Sequence, residues 1–285
     1  MLTALTVKKH ERRKGIKGLA DRLRRDRAVV KIKRARGVYL KHITYISYGR
    51  KPRFGKLEKI IGDSKSRIIC SPKIKFESDS KFKRFENSDF SARLCTNLAI
   101  CLLSMCDFTE KLKIGIYDLD GRESEFLPYV MKYSSDVTVV TDCPDVYYDE
   151  NELVMENMGA CSVVTKRTEE LEHCHLIIAP HTIEKTFSSN ENTLILTNGR
   201  PKAELTGEVY YKYYFKMPNG FDRIKPQELE TEYFCSALYS LGRQYSLGSI
   251  VPTMCSNFSA TQTVKSLYAM FESLYKNSEK SADEN

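Results

Sequence analysis

Apolar residues in the middle of the chain occur in short continuous runs separated by amphipathic stretches. Between residues 111 and 198 the runs are KIGIYDL, DVTVVTD, SVVTK, HLIIAP and NTLILTN. The stretches ESEFLPYVMKY and DENELVMENMGA have helical spacing of their apolar residues, and TEELEHC predicts a shorter helix. Fully apolar strands separated by helices are typical of a parallel sheet covered on both faces. With right-handed crossovers, the pattern predicts a doubly wound α/β domain.

The region before this domain has a different pattern. VVKIKRA and VYLKHITYISY are rich in β-branched and aromatic residues and are separated by Gly37, which predicts a hairpin. A short helix at KLEKIIG and a strand at SRIICSP follow, so we expect a small α/β domain. The most apolar stretch, ARLCTNLAICLLSMC, is too short to span a bilayer and contains Arg93. It predicts a buried helix that begins near Asp89, with Ser88 or Asn87 as its cap.

The last part of the chain is mixed. GEVYYKYYFKM is a strongly β-forming run, and PQELETEYFCSALYSLG and TQTVKSLYAMFESLYKN predict amphipathic helices. An aromatic face packed on a core explains the tyrosine-rich run better than base stacking does. The predicted organisation is a basic, partly mobile head (1–27, its first dozen residues mobile and a short helix near 18–27), a small α/β domain (28–88), a buried connecting helix (89–110), a Rossmann-like domain with C-terminal helices (111–276) and a disordered tail (277–285).

Charge is distributed unevenly along the chain. Residues 1–60 contain 20 Lys/Arg and 4 Asp/Glu, a net charge of +16, whereas the whole chain carries only +8. This asymmetry indicates a polyanionic partner for the N-terminal part, either nucleic acid or an anionic membrane surface. A well-solvated basic surface is the alternative interpretation. The polyanion-binding candidates are Arg12, Arg13, Lys14, Arg22, Arg24, Arg25, Arg34 and Arg36.

The 9 cysteines include no C-x-x-C pair, and several lie in apolar runs. Thiols in such runs behave as small hydrophobic residues, which favours a reducing cytoplasm. The N-terminus lacks the apolar run and small-residue cleavage site of a signal peptide, and no stretch is long enough for a transmembrane segment. We therefore predict a cytoplasmic protein.

The succession of elements from Leu112 to Asn198 resembles that of Rossmann-like NAD(P)-binding domains of dehydrogenase-like proteins. In that resemblance HLIIAP corresponds to the fourth strand, where the chain leaves the sheet beside a bound cofactor. The layout is also similar to that of bacterial proteins to which no activity is assigned. Because the resemblance is carried by the order of elements, it implies a fold more than an activity. We expect a mostly parallel Rossmann-like sheet with a smaller basic N-terminal α/β domain.

The turn after the first strand of this domain departs from the dinucleotide-binding pattern. Such sites need G-x-G-x-x-G, because glycines let the backbone approach the pyrophosphate at a helix N-terminus. Here the turn is YDLDGRES, in which Gly121 is the single glycine and Asp118, Asp120 and Glu123 are acidic. Two unit charges about 4 Å apart repel by about 4 kcal/mol at an effective dielectric constant of ~20. The sequence disfavours NAD(P) and leaves the identity of any cofactor open.

One feature favours a nucleotide nonetheless. Asp142 ends the second strand, 21 residues after Gly121, where an acidic residue accepts hydrogen bonds from a ribose. The preferred interpretation is that Asp142 caps the turn before Pro144. His181 follows a strand at the edge where doubly wound sheets bind ligands, although an ordinary turn histidine is the alternative. The ligand-binding candidates are Asp118, Asp120, Gly121, Asp142, Pro180 and His181.

YDLDG also resembles the first motif of haloacid-dehalogenase-like phosphatases. That resemblance implies Asp118 as nucleophile, Asp120 as general acid and base, and Mg²⁺ between them. The family continues with Thr where this chain has Arg122, and the next strand follows without the expected hairpin insertion. The later strand LIIAPH also lacks the acidic pair that would complete the metal site.

The cluster HCHLIIAPH gathers histidines and a cysteine, but a helix end followed by a buried strand explains it without a metal ion. We therefore predict no metal site. The leading hypothesis is a Rossmann-like ligand-binding domain with an altered phosphate loop, which binds a small uncharged or cationic ligand, and a basic N-terminus that binds a polyanion. The alternatives are a nucleotide-dependent oxidoreductase with a degenerate phosphate loop, a nucleic-acid-binding protein and a Mg²⁺-dependent phosphatase.

Overall fold

The computed structural model describes residues 1–10, 24–48, 57–61, 67–76, 78, 82–108 and 111–283. Its strands are β1 (Leu2–Lys9), β2 (Arg27–Ala35), β3 (Val38–Ser47), β4 (Arg67–Cys70), β5 (Lys83–Arg84), β6 (Lys113–Tyr117), β7 (Asp136–Val140), β8 (Val163–Thr165), β9 (Leu176–Ala179), β10 (Leu194–Thr197), β11 (Glu208–Tyr210), β12 (Lys212–Tyr214), β13 (Met254–Ser256) and β14 (Thr261–Thr263). Its α-helices are α1 (Glu58–Ile61), α2 (Asp89–Leu103), α3 (Leu127–Val130), α4 (Pro144–Met158), α5 (Thr231–Ser240) and α6 (Val264–Asp283), and 3₁₀ turns span Ser124–Phe126, Thr168–Leu171 and Tyr245–Ser249.

The chain forms two compact units, each made of two separate stretches of sequence. The first unit contains residues 1–87 and 217–247, and the second contains residues 88–216 and 248–285. These boundaries differ from the predicted ones, and the predicted head (1–27) is not a separate unit. The 217–247 stretch belongs to the first unit and not to the Rossmann-like domain, α2 is part of the second unit, and α6 continues through Asp283 where the sequence predicts a disordered tail.

The first unit is built on a five-stranded sheet in the order β2-β3-β1-β4-β5. The predicted hairpin is confirmed, because β2 and β3 pair in antiparallel register. Arg36 and Gly37 at its turn have φ values of 45° and 78°, and two consecutive positive φ angles suit the right-handed twist of a tight hairpin. Strand β1 pairs in parallel with β3 on one side and with β4 on the other.

The prediction that the first dozen residues are mobile is wrong for Leu2–Lys9. These residues form the central strand of the sheet, and Leu5 is only 2% exposed, in a core with Ile43 and Tyr45. LTALTV is apolar apart from its two threonines, and residues 2–6 are all buried, as in a central strand covered on both faces. The abundant Lys and Arg that follow obscured this signal. The helix predicted near 18–27 falls mostly outside the described residues, and Arg27 begins β2.

The second unit contains a six-stranded sheet in which all neighbouring strands are parallel. Its order is β11-β10-β9-β6-β7-β8, which becomes 3-2-1-4-5-6 when the strands are renumbered from β6. This is the strand order of Rossmann folds, so the predicted doubly wound α/β architecture is confirmed. Helix α2 packs against β9 and β10, and α4 packs against β8.

The helices after the first two strands of this sheet differ from the predicted ones. The stretch after β6 forms only a 3₁₀ turn at Ser124–Phe126 and the single turn of α3. Helix α4 is longer than predicted and begins at Pro144, a residue that suits the first helical position. It ends at Gly159, whose φ of 69° provides a left-handed C-terminal cap.

The tyrosine-rich run near residue 210 divides between two sheets. Strand β11 extends the parallel sheet, and β12 joins β13 and β14 in a small antiparallel sheet. Tyr210 and Tyr213 are buried, as the aromatic-core interpretation requires.

Across the described ranges, no helix combines the length and apolar character needed to cross a membrane.

Candidate functional site

A cleft lies at the edge of the parallel sheet where β6 and β9 end. These strands are neighbours, but the chain proceeds from β6 to β7 on one side and from β9 to β10 on the other. Ligands of doubly wound proteins bind at such a topological switch point. The cleft measures about 370 Å³, within the range of small-molecule sites. Its walls include Tyr117 at the end of β6, Leu119, Asp120 and Arg122 after this strand, and His181 and Thr182 after β9.

Asp118, the first acidic residue after β6, points into the protein. The residue is 1% exposed, and its Oδ2 accepts two hydrogen bonds of 2.9 Å, from the Glu123 backbone N–H and the Tyr147 hydroxyl. In a dinucleotide-binding protein, the amides at this turn are directed at a phosphate. Here the Asp118 carboxylate accepts the hydrogen bond of the Glu123 amide. A phosphate at this turn would therefore lie close to a negatively charged carboxylate.

Other backbone groups of the same turn are also engaged within the protein. The Gly121 N–H donates to the Asp118 carbonyl at 3.2 Å, and the Asp142 N–H donates to the Leu119 carbonyl at 3.1 Å. Gly121 has a φ of 67°, and a Cβ there would lie 2.6 Å from Cγ2 of Val146. This glycine therefore allows the turn to pack against the first turn of α4. It does not line the cleft.

Glu123 is the second buried carboxyl group of the turn. Its side chain is nearly inaccessible, and Oε2 lies 3.6 Å from Nη1 of Arg93 on α2. Burial raises the pKa of Glu123 to about 7, the positive charge of Arg93 opposes this rise, and the negative charge of Asp118 adds to it. The other side of the Arg93 guanidinium faces the exposed Glu125 at 3.6 Å. The Glu123 carboxyl group beside Arg93 therefore titrates near neutral pH.

His181 is the most distinctive polar group on the opposite wall. Its backbone carbonyl accepts a 2.9 Å hydrogen bond from the hydroxyl of Thr197 at the end of β10, which fixes the chain as it leaves the sheet. Its Nε2 atom is buried and has no hydrogen-bond partner among the described residues. Burial lowers the pKa of His181 below 6.5, although the negative charge of Asp118 acts in the opposite direction. The imidazole is therefore mainly neutral at pH 7 and can serve as donor or acceptor.

The six ligand-binding candidates separate into two groups. Asp120 and His181 line the cleft, and Asp120 is exposed in an ion pair with Arg122. Asp118, Gly121, Asp142 and Pro180 do not line it in the described structure. Asp142 is exposed at the end of β7, and Pro180 is buried directly after β9. The structure thus brings together one acid and one histidine from the predicted set.

Sequence reasoning missed Tyr147 and the ion pair of Arg93 with Glu123. Tyr147 and Val154 are the buried residues of α4, and their separation by seven positions is two turns of one helix face. That spacing could have identified Tyr147 as inward-facing. No local pattern could have linked Arg93 to Glu123, because their contact is formed by tertiary packing.

The geometry at Asp118 and Asp120 also bears on phosphatase chemistry. One carboxylate is turned into the protein and the other is exposed and paired with Arg122, so they do not form a pair directed at one metal ion. Within the described ranges, no group of three or more His, Cys, Asp or Glu side chains is arranged to hold a metal ion. His175 of the histidine cluster instead accepts a 3.0 Å hydrogen bond from the Lys113 N–H through Nδ1.

The polyanion-binding candidates of the first unit are partly described. Arg12, Arg13, Lys14 and Arg22 lie outside the described residues, whereas Arg24, Arg25, Arg34 and Arg36 are exposed. The Arg34 guanidinium carbon lies 5.0 Å from the ring centre of Tyr39 across the hairpin, and that of Arg36 lies 5.6 Å from Phe221. Both distances are typical of cation–π contacts.

The fold and the cleft define a Rossmann-like doubly wound α/β protein. In the turn after β6, the Asp118 carboxylate binds the backbone amide of Glu123. No protein-family model matches the chain, and no curated protein or solved structure is significantly similar to it.

The raised pKa of Glu123 predicts a pH-dependent stability. Because the folded state binds this proton more tightly, the contribution to stability is full below the ordinary pKa of 4.5 and is lost as pH rises through about 7. Glu123→Gln carries no titrating group, so its free energy of unfolding should fall less than that of the wild type between about pH 5 and about pH 8. Urea denaturation at a series of pH values measures this difference.

Glu125→Gln is the matched control, since Glu125 faces the same guanidinium from an exposed position. Its pH profile should follow that of the wild type. Parallel profiles for the wild type and Glu123→Gln would contradict the assignment of this proton to Glu123.

Proposed function

We propose that the second unit binds a small ligand without a phosphate group, uncharged or cationic, in the cleft at the switch point. The observation that carries this proposal is the engagement of the turn after β6 by the carboxylate of Asp118. The cleft retains the size and position of a ligand site, but the Glu123 amide that a phosphate would need is already occupied. The proposal concerns binding and includes no reaction.

The buried carboxyl groups behind one wall of the cleft support this ligand class, whereas the charged side chains that line the cleft itself, Asp120, Arg122, Glu184 and Lys185, have no net charge. Asp118 and Glu123 place carboxyl groups behind the wall after β6, and Asp120 lies on that wall with Arg122 as its partner. A pyrophosphate would have to approach these carboxylates in a region of reduced dielectric constant, where repulsion is stronger than in water. A neutral or cationic group meets no such penalty. His181 would then provide a polar contact on the other wall.

Aromatic and apolar surface completes the site. The buried Tyr117 ring lies on the cleft wall and packs against Phe187 with ring centres 5.1 Å apart. Ligand sites of this size are mostly apolar, with a few polar groups that fix orientation. A planar ligand of nucleoside size would suit this combination. The alternative of a nucleotide-dependent oxidoreductase requires the dinucleotide phosphates at the turn that Asp118 occupies.

A thermal-shift panel tests the ligand class. Adenosine and S-adenosylmethionine serve as the unphosphorylated probes, and NAD, NADP and ATP as the phosphorylated ones. We expect at least one unphosphorylated probe to raise the melting temperature by several degrees, because a ligand that binds only the native state stabilises it. At the same concentration, the phosphorylated probes should have smaller effects.

The location of binding is tested with His181→Ala, which should lose the stabilisation by the active probe. His173→Ala is the matched control, since His173 is exposed and does not line the cleft. A larger shift with NAD or NADP than with adenosine would overturn the proposal and favour the oxidoreductase alternative. An unchanged shift in His181→Ala would place the ligand elsewhere.

A second candidate function is nucleic-acid binding by the first unit, supported by the contact between Arg34 and Tyr39. Both residues are exposed on the hairpin formed by β2 and β3, and β2 is an edge strand of its sheet. Single-stranded nucleic acids are bound by basic surfaces with aromatic side chains on which bases stack. An anionic membrane would use the positive charges but not this arrangement of arginine on tyrosine.

Salt dependence of oligonucleotide binding tests this function. Each phosphate that a protein neutralises contributes about 0.7 to 0.9 to the slope of log K against log salt concentration. Arg34→Gln combined with Arg36→Gln should therefore reduce the slope for a single-stranded oligonucleotide by about 1.4. Lys166→Gln combined with Lys216→Gln, at exposed positions of the second unit, should leave it unchanged. An equal slope in both double variants would contradict the proposed surface, and binding to anionic vesicles alone would favour the membrane alternative.

We also propose a cytoplasmic location. All nine cysteines are free thiols, and five of them are buried. Burial raises the pKa values of Cys95, Cys174 and Cys255 to about 12, so these thiols stay protonated and unreactive. Cys143 and Cys161 are exposed. A reducing compartment keeps such exposed thiols free.

A further inference from the structure

The first unit contains a cavity of about 570 Å³, larger than the cleft of the second unit. It lies between the middle of β1, the segment 71–74 after β4 and the segment 228–233 that leads into α5. Apolar side chains, among them Leu5 and Ile74, form part of its lining. The cavity thus combines strand residues with a segment that the chain contributes from a distant part of the sequence.

Several polar groups of this cavity are fixed by hydrogen bonds. The buried Thr6 hydroxyl lies 2.9 Å from Nε2 of His42 and donates to Oε2 of Glu228 at 3.3 Å. Arg84 donates through Nε to the Cys70 carbonyl at 3.1 Å, and its guanidinium carbon lies 4.3 Å from the ring centre of Tyr233. These contacts hold the Glu228 and Arg84 side chains in place in the protein without a ligand. Binding a ligand therefore costs less side-chain conformational entropy.

The lining contains charges of both signs. Lys73 and Arg84 are cationic, and Glu228 and Glu230 are anionic, so these four residues have no net charge. Glu228 lies 3.8 Å from Lys8, and Arg84 lies 3.1 Å from Glu86. Lys73 and Glu230 form no ion pair with any other residue that the structure describes. One cation and one carboxylate on the same cavity are therefore available to a ligand.

We propose that this cavity binds a zwitterionic ligand of amino-acid size. The ligand ammonium group would pair with Glu230 and Glu228, and its carboxylate would pair with Lys73 and the guanidinium of Arg84. An apolar side chain of the ligand would contact Leu5 and Ile74. A purely anionic or purely cationic ligand would leave one of the two free charges of the cavity without a partner. This inference does not rest on the proposed function, because the cavity belongs to the other unit.

Saturation-transfer NMR with the full-length protein tests the proposal. A mixture of the common amino acids is the first probe, and signal should transfer to one or more members with apolar side chains. Leucine is then compared with N-acetylleucine, which lacks the ammonium group, and leucine methyl ester, which lacks the carboxylate. We expect leucine to bind at least about tenfold more tightly than either analogue, as is typical when a charge-assisted hydrogen bond is removed.

Two substitutions locate the ligand. Lys73→Gln and Glu230→Gln should each weaken leucine binding by about tenfold, while their melting temperatures stay close to that of the wild type because both side chains are exposed. Lys75→Gln and Glu156→Gln remove the same charges at exposed positions outside the cavity and should leave binding unchanged. Absence of signal transfer to every amino acid, equal binding of leucine and its blocked analogues, or unchanged binding in both cavity variants would each overturn the proposal.

Discussion

The buried carboxylate of Asp118 is the constraint on which the candidate site depends. It accepts hydrogen bonds from the Glu123 amide and the Tyr147 hydroxyl, so it joins the turn after β6 to helix α4. A buried charge is costly unless such partners compensate it, and removing one of them would leave it poorly solvated. These hydrogen bonds fix the conformation of the turn. A backbone amide of the kind that Rossmann folds direct at a phosphate is bound here to the protein's own carboxylate.

This constraint separates the fold of the second unit from the chemistry usually associated with it. The strand order places a cleft between β6 and β9, as in other doubly wound proteins. The short helical elements after β6 replace the longer helix whose N-terminus would favour an anion. In the proposed function, neutral His181 and the acids after β6 give the cleft a preference for ligands without a phosphate group. On this proposal, the turn and its electrostatics set the ligand class, and the sheet sets only the position of the site.

The sequence allowed the parallel sheet and the β2–β3 hairpin to be predicted, because continuous apolar runs and Gly37 are local signals. That Asp118 and its neighbours disfavour phosphate stays a prediction from the sequence. Strand β1 was missed because its short apolar pattern is followed by many basic residues. The return of residues 217–247 to the first unit and the approach of Arg93 to Glu123 depend on tertiary packing, and no local pattern encodes either.

The most direct test of the central claim is hydrogen exchange of the Glu123 backbone amide, followed by NMR without ligand and with NAD. If the Asp118 carboxylate holds this amide, exchange should be slow in the free protein, unchanged by NAD, and much faster in Asp118→Ala. Rapid exchange in the free protein that becomes slow only when NAD is added would contradict the account, because it would show that the amide is available to a phosphate.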